Sequence, residues 1–220
     1  FKGEVVHKAV GFMPPVQLIQ QSQKATGSEL NGANLELAYK DGDLEGEDLL
    51  AYAIKLKADD QPFDKVATEY FAVMSTKEMR SPEGWKAIEE LSTSVSSPEM
   101  QYLIKKRKKF KKMYGAGVDT KIDEVFRISA LKAAYEKDEV AFARLLDQTD
   151  KLKDNGRMAN RIKLTFAEAQ KDWNAYAEAA VNFYNEYPTT NKSDLKRLLQ
   201  TFVKEINSKQ LLGAASDWGR

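Results

Sequence analysis

The feature that most constrains this chain is a recurrence of amphipathic helices with a period of about 36 residues. Alternate helices are predicted to begin near Thr120, Arg157 and Ser193. The breaks between successive helices are short, and short connections make consecutive helices antiparallel neighbours. Because one helical hairpin cannot bury its apolar face alone, repeated hairpins must stack on one another. The sequence therefore predicts a mainly α fold, an array of antiparallel helical hairpins.

Apolar residues support this array, since they fall three and four positions apart, the spacing of one face of an α-helix. Two helix starts share the tripeptide Ser-Pro-Glu, at Ser81 and Ser97, in which serine can cap, proline fits the first position and glutamate favours the positive end of the dipole. From the second start, one helix is predicted to continue to Tyr114. The predicted faces include Leu49, Tyr52, Ala53 and Leu56; Val66, Ala67, Tyr70 and Phe71; Met100, Leu103, Arg107, Phe110 and Tyr114; Met158, Ile162 and Phe166; Leu195, Leu198, Leu199, Phe202, Val203 and Ile206.

The first 27 residues follow a different pattern. The β-branched run from Val5 to Val10, between two glycines, predicts a short strand, and the segment from Val16 to Ala25 predicts a helix after Pro14-Pro15. One strand and one helix cannot bury themselves. We therefore expect either that they pack on the helices that follow or that the chain is a piece of a longer protein.

Two stretches of the helical part resemble tetratricopeptide repeats. In "WNAYAEAAVNFYNEYP", Trp173, Tyr176, Ala179, Phe183 and Pro188 resemble the second helix of such a repeat. The stretch "LAYKDGDLEGEDLLAYA" is similar, although neither stretch keeps the family's full spacing. The resemblance implies a degenerate tetratricopeptide-like α-solenoid, a fold whose concave surface suits peptide recognition.

The opening "KGEVVHKAVGFMPPVQLIQQSQKA" resembles the last strand and closing helix of a thioredoxin fold. A thioredoxin-like fold followed by a helical repeat region is an arrangement of thioredoxin-family proteins of the Bacteroidetes type. The resemblance implies two parts, a thioredoxin-fold remnant at residues 1–27 and a helical repeat domain at residues 28–220. The family's two-cysteine redox motif has no counterpart here. The expected function is a non-catalytic protein-interaction module of a thiol-disulfide oxidoreductase family protein, with no enzymatic activity of its own.

Composition excludes several kinds of site. The chain has no cysteine and one histidine, His7, which removes thiol catalysis, thiolate metal sites and paired-histidine metal sites. Glycines do not form a phosphate-binding fingerprint. No run approaches the roughly 18 apolar residues of a membrane span. We expect no cofactor, no metal and no membrane span.

Two sets of residues are candidates for interaction. The first is the basic run "KKRKKFKKMY", with Lys105, Lys106, Lys108, Lys109, Lys111 and Lys112. Its apolar spacing and the net charge of +1 favour a solvated helix face, and the near-zero charge disfavours nucleic acid. The alternative is a free-standing helical adaptor that binds nucleic acid or an acidic protein through residues 105–112.

The second set is aromatic and comprises Trp173, Tyr176 and Tyr184. Their helical spacing favours packing between stacked hairpins over a ligand cage. Aromatic residues at the rim of a concave surface would suit a peptide. The expected partner is accordingly a protein or peptide.

Overall fold

The computed structural model describes residues 32–152, 155–188, 192–215 and Trp218, which form twelve α-helices, one 3₁₀ helix and no strand. The α-helices are α1 (Gly32–Asp41), α2 (Gly46–Ala58), α3 (Asp64–Val73), α4 (Pro82–Leu91), α5 (Pro98–Lys105), α6 (Arg107–Tyr114), α7 (Gly117–Glu136), α8 (Glu139–Thr149), α9 (Asn155–Gln170), α10 (Trp173–Glu186), α11 (Lys192–Glu205) and α12 (Lys209–Ala215). The prediction of a mainly α fold is confirmed. The predicted strand, the helix 16–25, His7 and the boundary at residues 27–28 lie outside the described residues.

The chain divides into two compact units, Phe1–Ser92 and Thr93–Arg220. The described part of the first unit contains α1 to α4 and the 3₁₀ helix Glu78–Arg80. Its core is formed by the predicted faces of α2 and α3 together with the buried face of α4, on which Trp85, Ile88 and Leu91 lie. The Ser81 hydroxyl accepts a hydrogen bond from the Gly84 N–H at 3.0 Å, so the first Ser-Pro-Glu start is a true cap.

The second unit begins with α5, where the prediction of one helix reaching Tyr114 is wrong. The helix breaks at Lys106, whose dihedral angles are −107° and 16°, and α6 starts at Arg107. Neither proline nor glycine stands at this position, so the break has no local signal in the sequence. It is accompanied by a tertiary contact, because Arg107, the first residue of α6, donates a hydrogen bond to Asp119 on α7 at 2.7 Å.

Helices α7 and α9 lie side by side and run parallel. Arg161 on α9 pairs with Asp123 on α7, and further along both helices the Gln170 amide donates to the Ala134 carbonyl at 3.5 Å. Because the contacts follow the same order along both helices, the two helices run in the same direction. Helix α8 connects them, beginning after Asp138, whose carboxylate accepts from the Ala141 N–H at 2.8 Å.

Helices α9 to α12 share the last part of the core. Arg197 on α11 donates to Glu168 on α9 at 3.3 Å. The buried cluster of this region comprises Ala167, Tyr176, Ala177, Ala180, Leu198, Phe202, Ile206 and Ala215. Among the described helices, none combines the length and the apolar composition needed to cross a lipid bilayer.

Candidate functional site

A groove of about 810 Å³ opens in the second unit, where α7, α9, α10 and α11 come together. Four arginines and three tyrosines contribute to its lining, namely Arg127, Arg157, Arg161, Arg197, Tyr176, Tyr184 and Tyr187. We call it the arginine–tyrosine groove. It combines cationic side chains with aromatic surface, the composition of a site for an anionic ligand that also carries apolar groups.

Three of these arginines recur at an interval of about 35 residues, close to the period predicted for the helices: Arg127, Arg161 and Arg197. Each stands on a different odd-numbered helix, α7, α9 or α11. Arg161 and Arg197 also form the ion pairs that join neighbouring helices. The interval therefore places one arginine on each of three alternate helices along the same groove.

The positive charge of the groove is only partly compensated. Glu168 is engaged by Arg197, and Glu186 accepts a hydrogen bond from the Tyr187 hydroxyl at 2.9 Å. Arg127 and Arg157 are exposed, and within the described part of the chain neither has a salt bridge. Two guanidinium groups of the groove thus have no salt bridge to another described residue, and a guanidinium can hold a carboxylate through two hydrogen bonds.

The aromatic residues form a packed wall along α10. The Phe183 ring lies 5.0 Å from the Tyr184 ring and 5.5 Å from the Tyr187 ring, and Tyr184 lies 5.5 Å from Trp218. Such contacts between ring centroids fix the side chains in place. A ligand in the groove would meet half-buried Tyr184 and Tyr187 without reordering them.

Of the three predicted aromatic candidates, one lies on the wall of the groove and the others pack in or against the core. Tyr184 is half-buried and lines the groove. Tyr176 is only 3% exposed, and burial, with Glu168 nearby, raises the pKa of its hydroxyl to about 12. Trp173 packs edge-on against Tyr176 at 5.9 Å and does not line the groove. Of the three, Tyr184 alone is positioned to contact a partner in this groove.

The predicted basic run is divided between α5, Lys106 and α6. Arg107 and Lys111 both donate hydrogen bonds to the carboxylate of Asp119. Partial burial alone would raise the pKa of this carboxyl, yet the two cations together hold it below its usual value. The other five lysines of the run, Lys105, Lys106, Lys108, Lys109 and Lys112, are exposed.

Replacing Asp119 by asparagine is expected to destabilise the second unit by about 1 kcal/mol at pH 7, a value reduced by the partial exposure of the pair. A lowered carboxyl pKa stabilises the fold above the unfolded pKa, and this stability is lost as the pH falls through the folded pKa. The difference between wild type and Asp119→Asn should therefore begin to shrink as the pH falls below the ordinary aspartate pKa of about 3.9, and it should disappear only below the lowered pKa of the folded state. Urea unfolding of both proteins from pH 7 to pH 3 measures this difference in the free energy of unfolding. A difference that does not change with pH would contradict the stabilising role of the Asp119 carboxylate.

The described residues contain no group of three or more potential metal-binding histidine, aspartate or glutamate side chains. Two exposed carboxylates of the described residues have structural contacts. Asp138 caps α8, and Glu90 pairs with Lys57 at 3.4 Å.

Sequence reasoning missed the arginines of the groove. The interval of about 35 residues between three of them is close to the period of about 36 residues at which the helices recur, and this was the signal that could have identified them. Comparisons with protein-family models, with curated proteins and with solved structures find no match to this chain.

Proposed function

We propose that this chain is a non-catalytic protein-interaction module, a tetratricopeptide-like solenoid that belongs to a thioredoxin-like protein and binds an acidic peptide in the arginine–tyrosine groove. The observation that carries the proposal is the pair Arg127 and Arg157, exposed guanidinium groups that form no salt bridge among the described residues and line a groove walled by tyrosines. Charge complementarity then favours negative groups on the partner, which a peptide supplies as carboxylates.

The arrangement of the helices supports the solenoid part of the proposal. Parallel α7 and α9, joined through α8, resemble the unit that a stacked hairpin array repeats. The second ion pair, from Arg197 to Glu168, continues the same connection to α11. The thioredoxin-like part of the proposal is based on the resemblance of the opening segment.

The size of the groove suits an extended peptide. Packed helices lie about 8–10 Å apart, so crossing α7, α9 and α11 covers roughly 20 Å. An extended chain covers about 3.3 Å per residue, which makes this distance roughly six residues. Carboxylates on such a peptide would meet Arg127 and Arg157, and its apolar groups would meet Tyr184 and Tyr187.

A binding experiment with defined peptides tests the proposal. The probe is a fluorescent eight-residue peptide that alternates glutamate with alanine, and its neutral counterpart has glutamine at each glutamate position. We expect the glutamate peptide to bind and Arg127→Glu with Arg157→Glu to weaken its affinity at least about tenfold, measured by fluorescence anisotropy. The glutamine peptide should bind neither protein.

The matched control reverses two exposed cations outside the groove, Arg144→Glu with Lys163→Glu, and so changes the net charge by the same amount. This control should keep the affinity of the wild type. Equal losses in both double variants, or no binding of the glutamate peptide at millimolar concentration, would refute the proposal.

A further inference from the structure

A second charged surface lies on α5 and α6, the first two helices of the second unit. It consists of Lys105, Lys106, Lys108, Lys109 and Lys112, which we call the lysine surface. Among the described residues, none of the five forms a salt bridge. The neighbouring cations Arg107 and Lys111 are held by Asp119. The structure thus separates a run of seven cations into two that are paired within the fold and five that face solvent.

The direction of the lysines follows from the burial of one residue. Phe110 is fully buried, with 0% exposure. At about 100° per residue, Lys108 and Lys112 point away from the side on which Phe110 is buried, and Lys109 lies on the adjoining flank. Lys108 and Lys112, four residues apart, are like charges on one helix face and therefore repel each other. A polyanion would relieve this repulsion.

We propose that the lysine surface binds the phosphate backbone of a nucleic-acid duplex, independently of sequence. The negative charge per unit length of the partner distinguishes a nucleic-acid duplex from an acidic peptide. The eight residues of α6 extend over about 12 Å. A duplex has one negative charge per roughly 1.7 Å of its axis, or about seven phosphates over that length. An extended peptide covers the same length with only about four residues, nearly all of which would have to be acidic.

The chemistry of the surface agrees with backbone contacts rather than base contacts. Lysine is a compact point charge that holds phosphate without a fixed orientation, whereas the planar side chains of arginine, asparagine and glutamine supply the oriented pairs of hydrogen bonds that read base edges. The one arginine of the run, Arg107, is engaged by Asp119. The aromatic ring of the run, Phe110, is buried and cannot stack on a base. Since that ring faces the core, Met113, 47% exposed, is the large apolar side chain that α6 presents to solvent, and one such residue does not make an apolar face that inserts into a bilayer.

The test measures binding of the full chain to two fluorescent duplexes of unrelated sequence, each about two helical turns long, over a salt series. Both duplexes should bind equally. With five phosphate contacts, the logarithm of the affinity should fall against the logarithm of salt concentration with a slope of about −4.5. Lys108→Gln, Lys109→Gln and Lys112→Gln together should reduce the slope to about −1.8.

The matched control is Lys132→Gln, Lys163→Gln and Lys196→Gln, three exposed lysines of the second unit with the same loss of charge. It should keep the wild-type slope. Asp119→Asn should bind more tightly with a steeper slope, because Arg107 and Lys111 are then released toward phosphate. A shallower slope for this variant would contradict the inference.

Three other results would overturn the inference. These are no binding to either duplex at low salt, an equal loss in the triple variant and its control, or tighter binding to phosphatidylserine vesicles or poly-glutamate than to duplex. Because the lysine surface and the arginine–tyrosine groove share no residue, failure here leaves the proposed function standing, and the reverse is also true.

Discussion

Gly84→Ala is expected to destabilise the first unit strongly. In an ordinary helix this substitution would stabilise by about 1 kcal/mol. Here, a Cβ atom on Gly84 would lie 2.1 Å from the carbonyl oxygen of Glu78 and 2.9 Å from the carbonyl carbon of Met79. These are backbone atoms and cannot rotate away. We expect a loss of about 3 kcal/mol in the free energy of unfolding, because the 3₁₀ helix or α4 must move.

The turn beneath Gly84 is held from several sides. The Ser75 N–H donates to the Glu78 carboxylate at 2.7 Å, and the Glu78 N–H donates to the Ser75 hydroxyl at 3.2 Å, a reciprocal cap. The Glu78 carbonyl accepts from the Ser81 N–H at 2.9 Å. Moving this carbonyl would disturb these hydrogen bonds, which is why relaxation is costly.

Hydrogen exchange of peptides from the first unit measures the effect of Gly84→Ala, since local unfolding raises their exchange rates. The control is Gly213→Ala in α12, where an added Cβ would meet no atom within 4 Å. This control should leave the exchange rates unchanged or lower them. If Gly84→Ala were as mild as Gly213→Ala, the close packing of α4 on the 3₁₀ helix would be wrong.

Phe202→Ala is expected to destabilise the second unit by about 3–5 kcal/mol, the usual cost of removing a buried phenyl ring. Phe202 is 1% exposed, and its ring lies 5.3 Å from Trp218 and 6.3 Å from Tyr176. The cavity left by alanine would remove contacts to α10 and to Trp218 together. Urea unfolding, followed by exchange in peptides of α9 to α12, measures the loss.

The adjacent residue supplies a matched control. Val203 is 81% exposed on the same helix, so Val203→Ala should change the free energy of unfolding by no more than about 0.5 kcal/mol. Comparable losses at both positions would mean that α11 does not bury the face seen here. A loss confined to Phe202→Ala would support the packing of α11 on α10.

Several helix starts agree with their local signals in the sequence, although the Ser97 side chain does not form the cap expected at the start of α5. The cap at Ser81 and the start of α8 after Lys137-Asp138 agree with the structure, since capping side chains act on N–H groups two or three residues away. The two units divide at Ser92, within the serine-rich stretch 92–97, whose composition is typical of a connection between elements. The prediction of a single helical domain at residues 28–220 did not take this composition into account.

The candidate site was less predictable. Tyr184 lines the groove, but helical spacing could not distinguish it from Tyr176, which lies on the same helix and is buried. The arginines of the groove were missed because each is isolated in the sequence. Among the seven cations of the basic run, nothing in the sequence indicated which two would pair with Asp119.

The sequence by itself determined that this chain forms amphipathic helices in short-linked succession, because periodicity and capping act over three to four residues. Only the tertiary structure decided which charges remain available to a partner. Arg107 meets Asp119 across 12 residues, Arg197 meets Glu168 across 29 and Arg161 meets Asp123 across 38. Ion pairing depends on distance in space, and the packing of neighbouring helices sets that distance.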